Sequence, residues 1–273
     1  MQKKQGYWRA LYLSFYSSRL YSDVVRSWQG VGIGYLLLAV TLGSIPLSGR
    51  IILQFDRFFE EQMLAPFQEL PTLDIKNGQV LFDKPMPYFI KNKQGEVVSI
   101  IDTSGKVNKI DSTYPHLKVL VTKNEINFQP PGLKQLLGAT TSSANTKIYT
   151  HTLPEDSNGI FDGKTWVKTT GFAKLKIIFE LFIFPFVTLF YFVIALIFLP
   201  IIATLGQLGA DVFLGLKLKF KESCRLLAVS ATPMIFFFFL MRAGNVVFPG
   251  LGFIYFLILV GYFIFAMYSL KDK

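Results

Sequence analysis

Asp102 stands in the run Ile100-Ile101-Asp102-Thr103-Ser104-Gly105, two apolar residues followed by an aspartate, hydroxyls and a glycine. That order suits a carboxylate sharing a proton with a second one across a symmetric protease site. The chemistry requires two copies of the loop, and this chain holds one, with Ser104 inserted between Thr103 and Gly105. The same residues are therefore read as a β-turn in which Asp102 bonds the backbone and Gly105 takes positive φ. His116 and His151 are the only histidines, far apart and outside any ligand-spaced cluster. The single cysteine, Cys224, lies beside Arg225, a cation that favours a thiolate, but no histidine accompanies it on that side of the membrane. It is read as a small residue at the membrane interface. Gly30-Val31-Gly32-Ile33-Gly34 lacks the preceding strand of a phosphate loop, so Gly30 and Gly34 are expected to allow close helix packing. Glu180 and Arg242 are the ionisable residues nearest the apolar stretches, read as interface-reaching side chains or a mutual ion pair. No metal, cofactor or catalytic set emerges.

The elements around these residues are dominated by lipid-compatible sequence. Hydrophobic residues make up 51% and charged residues only 17%, where a soluble domain carries about 25% charged residues. The net charge of +10 is unevenly distributed: residues 50–172 carry 14 Lys+Arg against 13 Asp+Glu, and the rest carries 14 against 5. The excess flanks the apolar segments, which fits positive-inside orientation and excludes a nucleic-acid function. One cysteine permits no intrachain disulfide.

The resulting fold class is an α-helical integral membrane protein of about four transmembrane helices with a small β-rich α+β extracytoplasmic domain. Residues 1–28 read as a basic amphipathic helix on the cytoplasmic face. Residues 29–49 form the first span, retained rather than cleaved as a signal peptide. Residues 50–172 form the outer domain. Residues 173–206 are one long span with kinks at Pro185 and Pro200, 207–225 a cytoplasmic loop, and 226–248 a third span with Pro233 near its start. Residues 249–270 form the fourth span and 271–273 a cytoplasmic tail. An even number of spans and the basic bias of the short segments place both termini in the cytoplasm.

Within the outer domain an amphipathic helix is expected over 51–67. Strand signals follow at 75–82, 88–91, 97–101, 107–110, 117–122 and 126–128, separated by turn formers that include Asn77-Gly78, and predict a small antiparallel sheet. Residues 139–165, rich in Thr, Ser, Asn, Asp and Gly, read as a long loop or irregular arm.

Three stretches carry a family resemblance: Phe15-Tyr16-Ser17-Ser18-Arg19-Leu20-Tyr21 leading into Gly34-Tyr35-Leu36-Leu37-Leu38, the Asp102 run, and Phe220-Lys221-Glu222-Ser223-Cys224-Arg225-Leu226-Leu227-Ala228-Val229-Ser230-Ala231-Thr232-Pro233. They resemble an uncharacterised bacterial membrane family, domain of unknown function 1189, some members of which are labelled maltodextrin utilisation proteins. The last stretch also resembles the Yip-type membrane scaffold. The resemblance implies a bacterial inner membrane and an accessory role, and it carries no catalytic residues.

The sequence therefore points to a non-enzymatic accessory, scaffold or sensing protein whose outer domain binds a partner or ligand. The expected partners are the lipid bilayer and a membrane protein or further copies of the chain. A transporter or lipid-handling subunit is the alternative, on the proline-interrupted helices.

Overall fold

Uninterrupted apolar sequence becomes long helix. The computed structural model describes residues 5–131 and 147–271. Among them, three helices are long and apolar enough to cross a membrane: Ile33–Gln68, Phe172–Leu214 and Leu251–Lys271. The pair Phe220–Ser230 and Thr232–Ala243, bent by 41°, makes a fourth if it is one span. The rest is mixed helix and sheet, and the chain divides into two compact units, one of Met1–Ile52 with Leu181–Lys273 and one of Leu53–Glu180.

In the first unit, the amphipathic segment expected over 1–28 is two helices, α1 (Tyr7–Leu13) and α2 (Ser18–Ser27). They break where the Tyr21 hydroxyl donates to the carbonyl of Ser14. Helix α3 (Ile33–Phe59) starts after a glycine turn and continues through Pro46. The helix expected separately over 51–67 is thus the extension of α3, carried on by a π-helical turn (Glu60–Leu64) and α4 (Ala65–Gln68). Arg50 and Arg57 face no break because an α-helix tolerates charge wherever its side chains reach water.

The other helices of this unit show similar departures. The expected loop at 207–225 is largely helical: α6 (Phe172–Leu214) runs through Pro185 and Pro200, and α7 (Phe220–Ser230) follows shortly. Pro233 lies in the first turn of α8 (Thr232–Ala243), where a missing N–H costs no hydrogen bond, and so marks the bend from α7. Helix α9 (Leu251–Lys271) closes the unit.

Helix contacts in this unit are made by small residues and hydroxyls. Tyr35 Oη and Thr232 Oγ1 lie 2.7 Å apart, joining α3 to α8. Ser44 and Thr188 hydroxyls, 2.8 Å apart, join α3 to α6. Ser223 Oγ donates to the carbonyl of Ala203 at 2.7 Å, and Ser22 Oγ to that of Ser269 at 3.0 Å. Each buries a polar pair in apolar surroundings where neither partner has water as an alternative. Arg225 is 7% exposed, yet its guanidinium donates to the carbonyls of Val25 at 3.0 Å and Gly30 at 3.2 Å.

The second unit holds two sheets in place of the single antiparallel one expected. Strands β1 (Leu73–Lys76) and β2 (Gln79–Leu81) form a hairpin around Asn77 and Gly78, with φ of +49° and +69° as a two-residue I′ turn demands. Strand β8 (Gly159–Phe161) pairs antiparallel with β1 to complete a three-stranded sheet. The second sheet has the order β3 (Tyr88–Lys91), β4 (Val97–Ile101), β5 (Val119–Val121), β6 (Glu125–Phe128) and β7 (Tyr149–Thr152). Its central pair β4 and β5 is parallel. Buried side chains on both faces of that pair explain the continuous apolar runs. One face packs on Phe67, Leu73, Val80 and Val167, while the other carries Ile100, Leu117 and Leu120 under Val107, Ile110 and Tyr114.

Two further expectations are corrected here. Residues 107–110 form no strand but lie as a loop over that second cluster. The arm expected over 139–165 falls partly outside the described residues; its described part contains β7, β8 and the start of helix α5 (Gly163–Thr169). Helix α5 packs so closely on α4 that a Cβ built on Gly163 would lie 1.9 Å from the carbonyl oxygen of Phe67. Gly163→Ala is expected to lower the unfolding free energy of the full chain by roughly 2 kcal/mol or more, since backbone must move. Gly105→Ala, with open space around a built Cβ but φ of +82°, is expected to cost about 1 kcal/mol. Denaturant unfolding followed by tryptophan emission checks the ranking.

Candidate functional site

The candidate site is an aromatic cavity of about 420 Å³ in the Leu53–Glu180 unit, bounded by Phe67, Ile126, His151, Leu153, Phe161 and Trp166. Five elements converge on it, since Phe67 comes from α4, Ile126 from β6, His151 from β7, Phe161 from β8 and Trp166 from α5. The two ring walls are set by direct contact: Phe67 and Trp166 centroids are 4.7 Å apart, and Phe161 and Trp166 centroids 6.1 Å apart. Behind Phe67 stands Phe128 at 4.9 Å, and Trp166 is backed by Phe172 at 5.6 Å. Ile126 and His151 are direct cross-strand partners in the β6–β7 ladder, which brings the imidazole beside the rings.

Local chemistry orients the tryptophan. Asp162 caps α5 by accepting from Thr165 N at 3.0 Å and Thr165 Oγ1 at 2.6 Å. Those hydrogen bonds to the charged form hold its carboxyl below the usual range. The cap therefore fixes the first turn of the helix that carries Trp166. Such a cavity offers apolar walls and one imidazole that donates or accepts, which suits an apolar group with one polar edge.

The residues singled out in the sequence lie elsewhere. Asp102 is fully buried, and its carboxylate accepts from Ser104 N at 2.8 Å, from Ser104 Oγ at 2.6 Å and from Val107 N. Burial alone would raise its pKa, but these hydrogen bonds outweigh it and leave the carboxyl below its ordinary 3.8. Gly105 supplies the positive φ of this turn. A carboxylate bonded in this way to its own turn is a framework group. His116 Nε2 lies 3.3 Å from Glu96 Oε1 at the surface.

Glu180 and Arg242 fall in different compact units. Glu180 Oε1 is buried without a hydrogen-bond partner among the described residues. Arg242 sits with its guanidinium carbon 5.8 Å from the Phe238 ring centre, and its carbonyl accepts from Arg50 Nη1 at 3.0 Å. Gly30 corrects the helix-packing expectation: it precedes α3 with φ of +74°, and its carbonyl meets Arg225. Gly34 does lie in α3, where a built Cβ would be 3.4 Å from the Tyr7 ring. Close backbone approach belongs to Gly32, whose built Cβ would be 3.3 Å from Arg225 Cα. Cys224 is buried. Among the described residues no group of three or more His, Cys, Asp or Glu side chains could hold a metal.

Sequence reasoning passed over the cavity because its walls run from residue 67 to residue 166 and share no motif. The usable signal was Trp166, a large aromatic in a polar stretch behind the capping order Asp162-Gly163-Lys164-Thr165.

Asp102→Asn is expected to destabilise the full chain by about 2 kcal/mol at neutral pH, through loss of charge-assisted hydrogen bonds. Because the folded pKa lies below the unfolded one, that stabilisation is present above the ordinary 3.8 and fades as pH falls through the folded value. The gap between wild type and variant in unfolding experiments should therefore close on acidification and be constant above about pH 6.

No curated protein and no solved structure matches the chain. The model of a family described as a protein of unknown function (DUF1189) matches residues 8–267, so the chain belongs to that family.

Proposed function

We propose that this chain is a multi-pass membrane protein, with both termini cytoplasmic, whose Leu53–Glu180 unit lies outside the cytoplasm and binds an apolar or aromatic group of a ligand or partner. The observation that carries the binding role is the aromatic cavity walled by Phe67, Phe161 and Trp166. Its volume lies within the ~300–1,000 Å³ of small-molecule sites. The role is non-enzymatic, an accessory or sensing one: the cavity lining pairs one imidazole with apolar side chains and brings no nucleophile to it. The membrane placement is supported by the three or four helices of spanning length, and the orientation by the basic residues flanking them.

A second reading, a lipid-handling subunit, is favoured by an apolar groove between α6 and α9 in the other unit.

Two measurements test the proposal. In a Cys224→Ala background, a membrane-impermeant maleimide should label Lys93→Cys in intact bacterial cells and Lys221→Cys only after permeabilisation; the reverse pattern would reject the orientation. With 5-fluorotryptophan incorporated, the resonance assigned through Trp166→Phe should move on titration with indole or naphthalene fragments, while those of Trp8 and Trp28 stay. A Trp166 signal that no such fragment moves would reject the binding role.

A further inference from the structure

The groove between α6 and α9 has a volume of about 470 Å³ and is lined almost wholly by apolar side chains. Its walls run along α6 from Ile202 to Leu214 and along α9 from Phe256 to Tyr268. At ~1.5 Å per residue each wall is about 18 Å long, close to the ~15 Å of hydrocarbon in one leaflet. Two glycines shape it differently. The Phe263 ring fills the space beside Gly206, where a built Cβ would lie 2.2 Å from a ring atom. Gly209 has no heavy atom within 4 Å of a built Cβ, so it leaves the groove open.

Basic residues lie beside the Leu214–Tyr268 end of the groove. Lys271 follows Tyr268, and after Leu214 the chain turns back, the Leu218 carbonyl accepting from Gln207 Nε2 at 2.8 Å, which sets Lys217 and Lys219 along the last turns of α6. Against them stand Asp211 and Glu222, and the Glu222 carboxylate already accepts from Lys219 N at 2.9 Å. An apolar slot about one leaflet long, flanked near its Leu214 end by an excess of ammonium groups, is complementary to a molecule with a long hydrocarbon chain and an anionic head.

We infer that this groove binds an acyl chain of an anionic phospholipid from the cytoplasmic leaflet, with Lys217 and Lys219 facing its phosphate. The inference rests on the membrane reading above. Native mass spectrometry of the purified, delipidated full chain tests it, with dioleoyl phosphatidylglycerol and dioleoyl phosphatidylcholine as probes. The wild-type chain should retain one phosphatidylglycerol, more tightly than phosphatidylcholine. Gly209→Leu should lose that retention, because it fills the slot, meets no neighbour at its Cβ and improves helix propensity. Gly209→Ala, too small to fill it, should retain the lipid. Lys217→Gln and Lys219→Gln should each cut the preference for phosphatidylglycerol about fivefold, weakening phosphatidylcholine, whose phosphate is offset by its own choline cation, by less.

Wild-type retention in Gly209→Leu overturns the inference. So does a change in oligomeric mass in place of a change in lipid, which would mean that a second copy fills the groove. A chain that stays soluble without detergent overturns the membrane reading itself, whereas one that needs detergent yet holds no phosphatidylglycerol overturns the groove alone.

Discussion

The helical unit depends on a buried guanidinium. Arg225 sits in apolar surroundings on α7 and directs its donors at two carbonyls, that of Val25 near the end of α2 and that of Gly30 in the turn before α3. The Val25 carbonyl in the last turn of α2 lacks an intrahelical partner, so the cation meets it and the negative end of that helix dipole together, while Arg225 Nε is buried with no hydrogen-bond partner among the described residues. The bond also explains the glycines around it. Gly30 and Gly32 take φ of +74° and +84°, and Gly32 lies against Arg225 and Ala228, where a side chain would hold α7 away. A lysine would supply the charge without the planar fork that reaches two carbonyls at once.

Around that point the helices are joined by single hydroxyl contacts, such as Tyr35 with Thr232 and Ser44 with Thr188. One apolar helix face is much like another as a partner, so small residues and hydroxyls supply the choice of neighbour. The sheet unit is held differently. Its core is ordinary apolar burial around Leu73, Val119 and Val121, and its loops are fixed by carboxylates bonded to their own backbone, Asp102 before Val107 and Asp162 before Thr165.

Much of this was legible in the sequence where one local rule decides the outcome. Strands 88–91 and 97–101 appear at the expected residues, and Asn77-Gly78 makes the expected two-residue turn. The turn at Asp102 and Gly105 was read from residue type alone. What local rules could not supply was pairing. Strand β7 is exposed at every residue and β8 is three residues long with a glycine, so neither shows alternation; each exists because a partner strand accepts it. The parallel pairing of β4 with β5 needed knowledge of the path between them. Arg225 closes the segment expected as a cytoplasmic loop, and only the fold shows the carbonyls of Val25 and Gly30 that meet it. The cavity was invisible for the same reason: Phe67 and Trp166, far apart in the sequence, are neighbours only in the fold.

The π-helical turn at Glu60–Leu64 sets the phase of everything that follows it. Each residue advances a helix by about 100°, so a turn that accommodates an extra residue rotates the short helix beyond it relative to α3. That rotation aims Phe67 at Trp166 and leaves the carbonyl of Pro66 facing Ser99, whose hydroxyl meets it at 2.8 Å. Lineages that shed or gained one residue here would keep a helix of nearly the same length and apolarity, yet would turn the Phe67 ring out of the cavity wall. Chain length across 60–64 thus fixes which side chains of α4 reach the core of the sheet unit, a constraint that residue-by-residue comparison of side chains would miss.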